Sequence, residues 1–395
     1  MHTPPKILIV DDVPLNVSLL EQVLEELGYQ TVSATNGHAA LESIAAAEPD
    51  LVLLDIMMPE MDGFEVLERL QANPAWRDLP VIVISALHDL SDVVKGIERG
   101  AADYLSKPFE PVLLQARIAA LLEKKRLRDI ETKYRKALER ELEIGREIQA
   151  SFLPTQLPHV PGWEIGARFH AQRLVAGDLY DAFVLPNAQR LCVVIGDVSG
   201  KGVGAALYMA LYRTLLRVLL LQSDADELED AAQLIQCVRL TNEYVTRTHG
   251  AAHMFASLFV ALLEPARGVL TYVNAGHNPP LVLGAMHYRE LARTGMVSGL
   301  VYDTPFSAAQ TEIAPGETLL LYTDGVTEAF DGETQEYGQA RLAEVACRPA
   351  NSVHALLDCI EADVFEFMGA TEQADDITLL ALYRAPADAR GTNSR

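Results

Sequence analysis

The sequence is short of the features that mark several protein classes. Its four cysteines, Cys192, Cys237, Cys347 and Cys359, stand far apart with no CxxC pair. That spacing excludes a cysteine zinc site and an evident disulfide framework, and the four read as reduced thiols of a cytoplasmic protein. Positive charge is also scarce: 32 Lys and Arg face 55 Asp and Glu, a net charge of −23. So acidic a surface repels phosphate backbones, so nucleic acid is not an expected partner. No basic helix-turn-helix segment follows, which argues against a DNA-binding output. The start, MHTPPKILIVDD, runs straight into an apolar strand without a signal-peptide pattern. The longest apolar run, 203–221, carries Arg213 and Arg217 one turn apart. A membrane span disfavours both, so the run predicts a buried helix with one polar stripe and no membrane partner.

What is present fits two domains and a connector, the natural division of 395 residues. Over 1–122, apolar strand patterns alternate with helical ones: KILIVDD, then VSLLEQVLEEL ending at Gly28, then DLVLLDIMMP, VIVISA and ADYLSKP. Solid apolar runs in a β/α alternation predict a doubly wound parallel sheet, with its ligand at the carboxyl ends of the strands. The strands close in Asp11 and Asp12, Asp55, Ser85 and Lys107. Three carboxylates at one sheet edge repel one another unless a hard cation such as magnesium sits among them. A carboxylate beside magnesium and a lysine can act as a nucleophile toward phosphorus, with lysine and serine holding the phosphoryl oxygens.

The connector, 123–155, predicts a helix. Leu127, Ile130, Tyr134, Ala137, Ile144 and Ile148 recur at three- and four-residue steps among Lys, Arg and Glu. This is the seam spacing of a parallel coiled coil that would make a homodimer; a solvated single helix packed on its own protein is the other reading. Gly145 is expected to interrupt the helix as a hinge, and Pro154, Pro158 and Pro161 to end it.

In 156–385 the pattern changes to short strands with turns, WEIGARF, RLCVVIGD, FASLFVALL, VLTYVNAG, PPLVLG, ETLLLYTDG and DITLLALYR. Helical patterns lie at about 202–222, 229–247 and 352–368. This predicts antiparallel sheets with packed helices, an α/β sandwich. A disordered tail is expected at 386–395. Acids sit at the strand tips: Asp178, Asp197, Asp324, and Asp375 with Asp376. One such Asp beside Gly is often a turn residue, but four strands delivering carboxylates, without clustered His or Cys, suit magnesium or manganese. Two ions roughly 3.5–4 Å apart could activate a water for in-line attack on phosphorus.

Residues 1–122, through VDD, LLDIMMP, ISA and KPF, resemble the receiver domain of a two-component response regulator. The resemblance implies Asp55 as phosphoacceptor, one magnesium ion held by Asp11, Asp12, Asp55 and the Met57 carbonyl, and Ser85, Tyr104 and Lys107 as the switch residues. It also implies a sensor histidine kinase or phosphotransfer protein as partner. Residues 150–385, through GDLYD, IGDVSGKG, NAGHNPP, YTDGVTEA and DDITLL, resemble the PPM (protein phosphatase 2C-like) serine/threonine phosphatases of the SpoIIE branch. That implies two manganese or magnesium ions, with Asp197 bridging, the Val198 carbonyl on one, Asp324 and Asp375 on the other, and Asp178 joining directly or through water. Asp181 and Asp376 read as supports behind these ligands. His277 and Asn278 are either a proton donor and a substrate binder or a satisfied turn. The implied substrate is a phosphorylated STAS-type anti-sigma-factor antagonist; the rival is a catalytically silent adaptor for sigma or anti-sigma components. One departure is Ala176, where the family often has glycine; its methyl would crowd the loop if φ were positive.

The loop VVIGDVSGKGVGAAL, 193–207, looks at first like a nucleotide loop. That pattern needs four residues between its glycines and Ser or Thr after the lysine. Here three residues separate Gly196 from Gly200, and Gly202 follows Lys201. Asp197, rather than Lys201, is the expected centre of its chemistry.

Overall fold

The computed structural model describes residues 4–86, 90–185, 189–222, 229–285, 287–332 and 335–386. The chain divides into two compact units, 1–138 and 139–395. From position 387 the expected disordered tail lies outside the described residues.

In the first unit the strands are β1 (Lys6–Val10), β2 (Gln30–Ala34), β3 (Leu51–Leu54), β4 (Val81–Ser85) and β5 (Asp103–Ser106). Between them run α1 (Pro14–Glu26), α2 (Gly37–Ala47), α3 (Gly63–Ala72) and α4 (Leu90–Glu98), and α5 (Pro111–Ala150) follows. The five strands pair in parallel in the order β2-β1-β3-β4-β5. Successive residues of β1 enter two different cores: Leu8 and Val10 pack with α2 and α3 residues, Ile7 and Ile9 with α1 and α5 residues. Burial on both faces is why this strand reads as a solid apolar run. The order reverses beside β1, which places the ligand crevice at the carboxyl ends of β1 and β3. Asp62 caps α3 through a reciprocal box with Glu65.

Helix α5 is continuous through Gly145. The expected interruption is absent because an interior glycine costs only about 1 kcal/mol against alanine, and the flanking residues are good helix formers. Within the first unit, Lys125 pairs with Asp50 at 3.0 Å and Arg128 with Asp78 at 3.0 Å. Leu127, Ile130, Tyr134, Leu138, Ile144 and Ile148 are exposed along it.

In the second unit β6 (Trp163–His170), β7 (Leu179–Val184) and β8 (Leu191–Val198) precede α6 (Val203–Gln222) and α7 (Asp230–His249). Then come β9 (Ala256–Glu264), β10 (Val269–Ala275), β11 (Leu281–Leu283), β12 (Tyr288–Glu290), β13 (Ala309–Glu312) and β14 (Thr318–Tyr322). The unit ends with α8 (Asp324–Thr327), α9 (Gly338–Ala346), α10 (Val353–Met368) and β15 (Ile377–Arg384). Two antiparallel sheets form, β13-β10-β9-β8-β7 and β12-β11-β14-β15-β6. Val193, Ile195, Phe259 and Ala261 of one sheet meet Leu319, Leu321, Leu380 and Leu382 of the other in a shared core. The outer faces are covered by α6 and α7 on one side and by α9 and α10 on the other. The result is the expected α/β sandwich, with strands β7, β12 and β13 added to those read from the sequence.

Helix α6 is long and apolar enough to span a membrane by length and composition alone. Its Ala205, Met209, Tyr212, Leu216 and Leu220 are buried in the protein core. Its two arginines pair with Asp181 of β7: Arg213 at 3.0 Å and Arg217 at 2.8 Å. This is the predicted buried helix with a polar stripe.

Candidate functional sites: two carboxylate clusters

In the first unit, Asp11 follows β1, Asp55 follows β3, and Lys107 follows β5. The carboxylates of Asp11, Asp12 and Asp55 each offer an oxygen within 4.8 Å of the others. Lys107 Nζ lies 2.6 Å from Asp11 Oδ2 and 3.2 Å from Asp55 Oδ2. Asn16, in the first turn of α1, donates to both Asp11 oxygens at 3.0 and 3.1 Å; no sequence pattern singled it out. The Ile56 N–H donates to Asp55 Oδ1 at 2.9 Å, leaving Oδ2 toward the lysine. Burial holds the Asp55 carboxyl above its usual range, against the lowering pull of Lys107, and the Asp11 charge adds to the rise. Three oxygen donors at one edge, one of them reluctant to ionise, fit a hard divalent cation. Ser85 is fully buried at the end of β4, Tyr104 is half-buried in β5, and the Met57 side chain is exposed.

In the second unit, the predicted acids gather from both sheets. Asp178 precedes β7, Asp197 is in the last turn of pleat of β8, Asp324 opens α8 just after β14, and Asp375 and Asp376 precede β15. Asp178 Oδ2 accepts from the Thr323 hydroxyl at 2.8 Å and from the Thr378 hydroxyl. A carboxylate of one sheet is thereby tied to hydroxyls of the other. Asp376 accepts from the N–H groups of Gln172 at 2.8 Å, Gly177 at 2.6 Å and Asp178 at 3.4 Å, so it supports the Asp178 loop as expected. A Cβ on Gly325 would stand 1.9 Å from the Asp376 carbonyl oxygen. Only glycine permits that approach, and it brings Asp324 and Asp375 together.

The electrostatics record this crowding. Burial first, then the charges of Asp324 and Asp375, push Asp197 up to about 7. Burial, with Asp197 and Asp376, drives Asp178 well above the carboxylate range. Asp324 is raised by burial and by Asp375. Among the described residues, the opposing charge beside these acids comes from Lys201, whose Nζ lies 3.0 Å from Asp375 Oδ2 and 2.6 Å from the Ala374 carbonyl. Among the described residues, no three carboxylates of this cluster lie within 4.8 Å of one another as the receiver trio does. Acids that share a site yet resist ionisation, with only oxygen donors, fit divalent magnesium or manganese, whose charge offsets the repulsion. The Val198 carbonyl is beside Gly177.

One expectation changes. Asp181 does not back the cluster; it is buried and paired with Arg213 and Arg217, a contact its neighbours in sequence do not reveal. His277 is fully buried, its Nδ1 lies 2.8 Å from Ser257 Oγ, and its N–H donates to Asn274 Oδ1 at 2.8 Å. Burial lowers its pKa to about 3, so it is a neutral residue of the turn. Ala176 does not adopt a positive φ, so its methyl causes no backbone strain.

One residue at the end of α5 was not foreseen. Gln149 is buried, its Nε2 donates to the Ala176 carbonyl at 2.6 Å, and its Oε1 accepts from the Ala176 N–H at 2.9 Å. Glutamine carries no periodic signal, so only the folded contact identifies it.

A parallel-sheet receiver and an antiparallel sandwich with converging acids define a response regulator carrying a phosphatase-type domain. A family model described as "Response regulator receiver domain" matches residues 7–119, and one described as "Stage II sporulation protein E (SpoIIE)" matches residues 187–385. The chain belongs to the SpoIIE family. Protein IcfG of Synechocystis sp. is 38% identical over 263 residues, covering 62% of this chain and 41% of IcfG. Response regulator PleD of Caulobacter vibrioides is 45% identical over 116 residues, covering 29% of this chain and 26% of PleD. The chain thus spans less than half the length of either relative. The SiaA-PP2C domain of Pseudomonas aeruginosa shares the fold, with a TM-score of 0.55 and 20% identity over 64% of this chain and 99% of that domain.

Proposed function

We propose that the protein is a phosphorylation-controlled, metal-dependent protein serine/threonine phosphatase. The observation that carries this reading is the convergence of Asp178, Asp197, Asp324 and Asp375 from two sheets onto one oxygen-donor cluster, in which the first three resist ionisation. Asp197, Asp324, Asp375 and the Val198 carbonyl would hold two manganese or magnesium ions, with Asp178 joining directly or through water while Thr323 and Thr378 fix it through its Oδ2. When bound, such ions lower the pKa of water and neutralise phosphate charge.

In the receiver, Asp11, Asp12, Asp55 and the Met57 carbonyl would hold one magnesium ion. Asp55 Oδ2 takes the phosphoryl group from a sensor kinase or phosphotransfer protein: its bond to phosphorus forms as the donor's bond to phosphorus breaks. Lys107, 3.2 Å from that oxygen, offsets the charge, and Ser85 and Tyr104 respond to it. The exposed apolar positions of α5 support a homodimer, and the clamp of Gln149 on Ala176 supports α5 as the element that reaches the acid loop.

The substrate class that fits the SpoIIE family is a phosphoserine or phosphothreonine on a STAS-type anti-sigma-factor antagonist, in the cytoplasm. The test is hydrolysis of candidate phospho-STAS proteins by the full chain with manganese, with and without acetyl phosphate. Release of phosphate that changes with acetyl phosphate is expected. Metal binding without hydrolysis in either state would overturn the phosphatase reading in favour of an adaptor.

A further inference from the structure

Lys201 is the cation that the sequence set aside, and the fold gives it a definite place. It lies between Gly200 and Gly202, whose φ values are +86° and +78°. Two left-handed residues in three, a conformation that costs glycine little, fold the loop back so that the lysine reaches 173 residues along the chain. Its ammonium donates to the Ala374 carbonyl at 2.6 Å and pairs with Asp375 Oδ2 at 3.0 Å. Its charge also acts on Asp324 and on Glu328 of the turn after α8. One ammonium therefore serves several carboxylates in the place where the proposed function needs a divalent ion.

The receiver provides the contrast. Lys107 is 19% exposed and wedged between Asp11 and Asp55, which are almost fully buried; moving it would strand a buried charge. Lys201 and Asp375 are 40% and 39% exposed. An ion pair so open to water is weak, and its lysine can leave into solvent without leaving a buried charge behind. A second cation at Asp375, with the ammonium still in contact, would meet direct repulsion.

We propose that Lys201 is a built-in counter-cation that competes with the metal ion for Asp375. The inference rests on the metal-dependent reading above. Without metal, Lys201 keeps the 374–376 segment in place, and that segment in turn holds Gly177 and Asp178 through Asp376. Metal arrival then requires the lysine to withdraw, which sets the divalent-ion concentration at which the site fills. Lys201 is a positioning residue in this account, and it forms no bond to the reacting phosphate.

The test is calorimetric titration of manganese into the full chain carrying Asp12→Asn, which removes one receiver carboxylate. Lys201→Met keeps the stem and removes the charge. It is expected to tighten manganese binding roughly fivefold, the scale of one exposed ion pair. Lys201→Arg, which keeps the charge, is expected to bind as the parent does. Adding Asp375→Asn should abolish the gain of Lys201→Met. Unchanged or weaker binding by Lys201→Met, with unaltered circular dichroism and melting, would overturn the proposal while leaving the phosphatase reading intact. If neither the parent nor Lys201→Met binds manganese, the metal-dependent reading fails, and the proposal with it. A lysine that serves incoming phosphate instead would show unchanged manganese binding and weakened inhibition by inorganic phosphate, which also overturns it.

Discussion

Gln149 and Ala176 hold each other by two hydrogen bonds, one in each direction. A side-chain amide on the last turn of α5 thus substitutes for a strand partner to the backbone two residues before Asp178. Both groups are buried, so neither can exchange its partner for water.

Gln149→Leu leaves the Ala176 N–H and carbonyl without partners. An unsatisfied buried group costs about 1–3 kcal/mol, so the urea midpoint of the second unit should fall. Hydrolysis should drop by on the order of 10-fold or more, as for other outer supports of a metal site. Gln149→Glu tests the same bond differently: it can still accept from the Ala176 N–H but cannot donate to the carbonyl. An unaltered midpoint and rate in both variants would contradict the clamp.

Asp197 carries the clearest pH signature. Its folded pKa, about 7, is raised above the unfolded value of 3.8. The protonated form therefore favours folding; its contribution is full below about 3.8 and is lost as pH rises through about 7. Metal-free Asp197→Asn should melt above wild type at pH 8, and the gap should close toward pH 4. Saturating manganese should reverse the order, and hydrolysis by the variant should fall on the order of 100-fold or more. Equal melting at every pH would remove the electrostatic account.

The same proton links metal to pH. Below about 7 manganese must displace the proton of Asp197, so affinity should rise about tenfold per pH unit and then flatten above it. Calorimetry from roughly one to two pH units below that value to about one above it reads both limbs. A flat profile would contradict the coupling.

Asp181 tests a role corrected by the structure. Removing it leaves Arg213 and Arg217 facing one another without their acid. Asp181→Ala should lose about 3 kcal/mol of stability in urea, the lower end of the range for a broken buried pair because Arg217 is partly exposed. Hydrolysis per folded molecule should survive. Loss of turnover without loss of stability would return Asp181 to the metal site.

The exposed residues of α5 give a test of assembly. Leu127→Glu with Tyr134→Glu places charge at two seam positions. The proposed dimer should become a monomer by light scattering, with unchanged helix content. A dimer that survives both changes would move the interface elsewhere.

Much of both sites could be read from the chain because apolar runs closing in Asp announce strand tips. Asp11, Asp55 and Asp197 were visible in this way, and the cluster follows once the sheets are formed. What escaped depends on contacts between distant segments. Strand β7 was hidden inside an acidic motif, since Asp181 breaks its apolar alternation and its arginine partners lie on α6. Gln149 and Asn16 belong to no period or charge pattern. Lys201 was visible as a residue but not as a contact, because its partner lies 173 residues away. Gly145 misled in the other direction: its low propensity is outweighed by the rest of a long helix.

The close approach of Gly325 to the Asp376 carbonyl has a consequence for how this protein can vary. Replacing an acid of the cluster removes charge but leaves the backbone room to pack. Replacing Gly325 by any other residue forces two main-chain segments apart. In a saturation library scored for both abundance and turnover, the aspartates should separate the two scores, while Gly325 should lose both together. The position without a side chain would then be the less forgiving one.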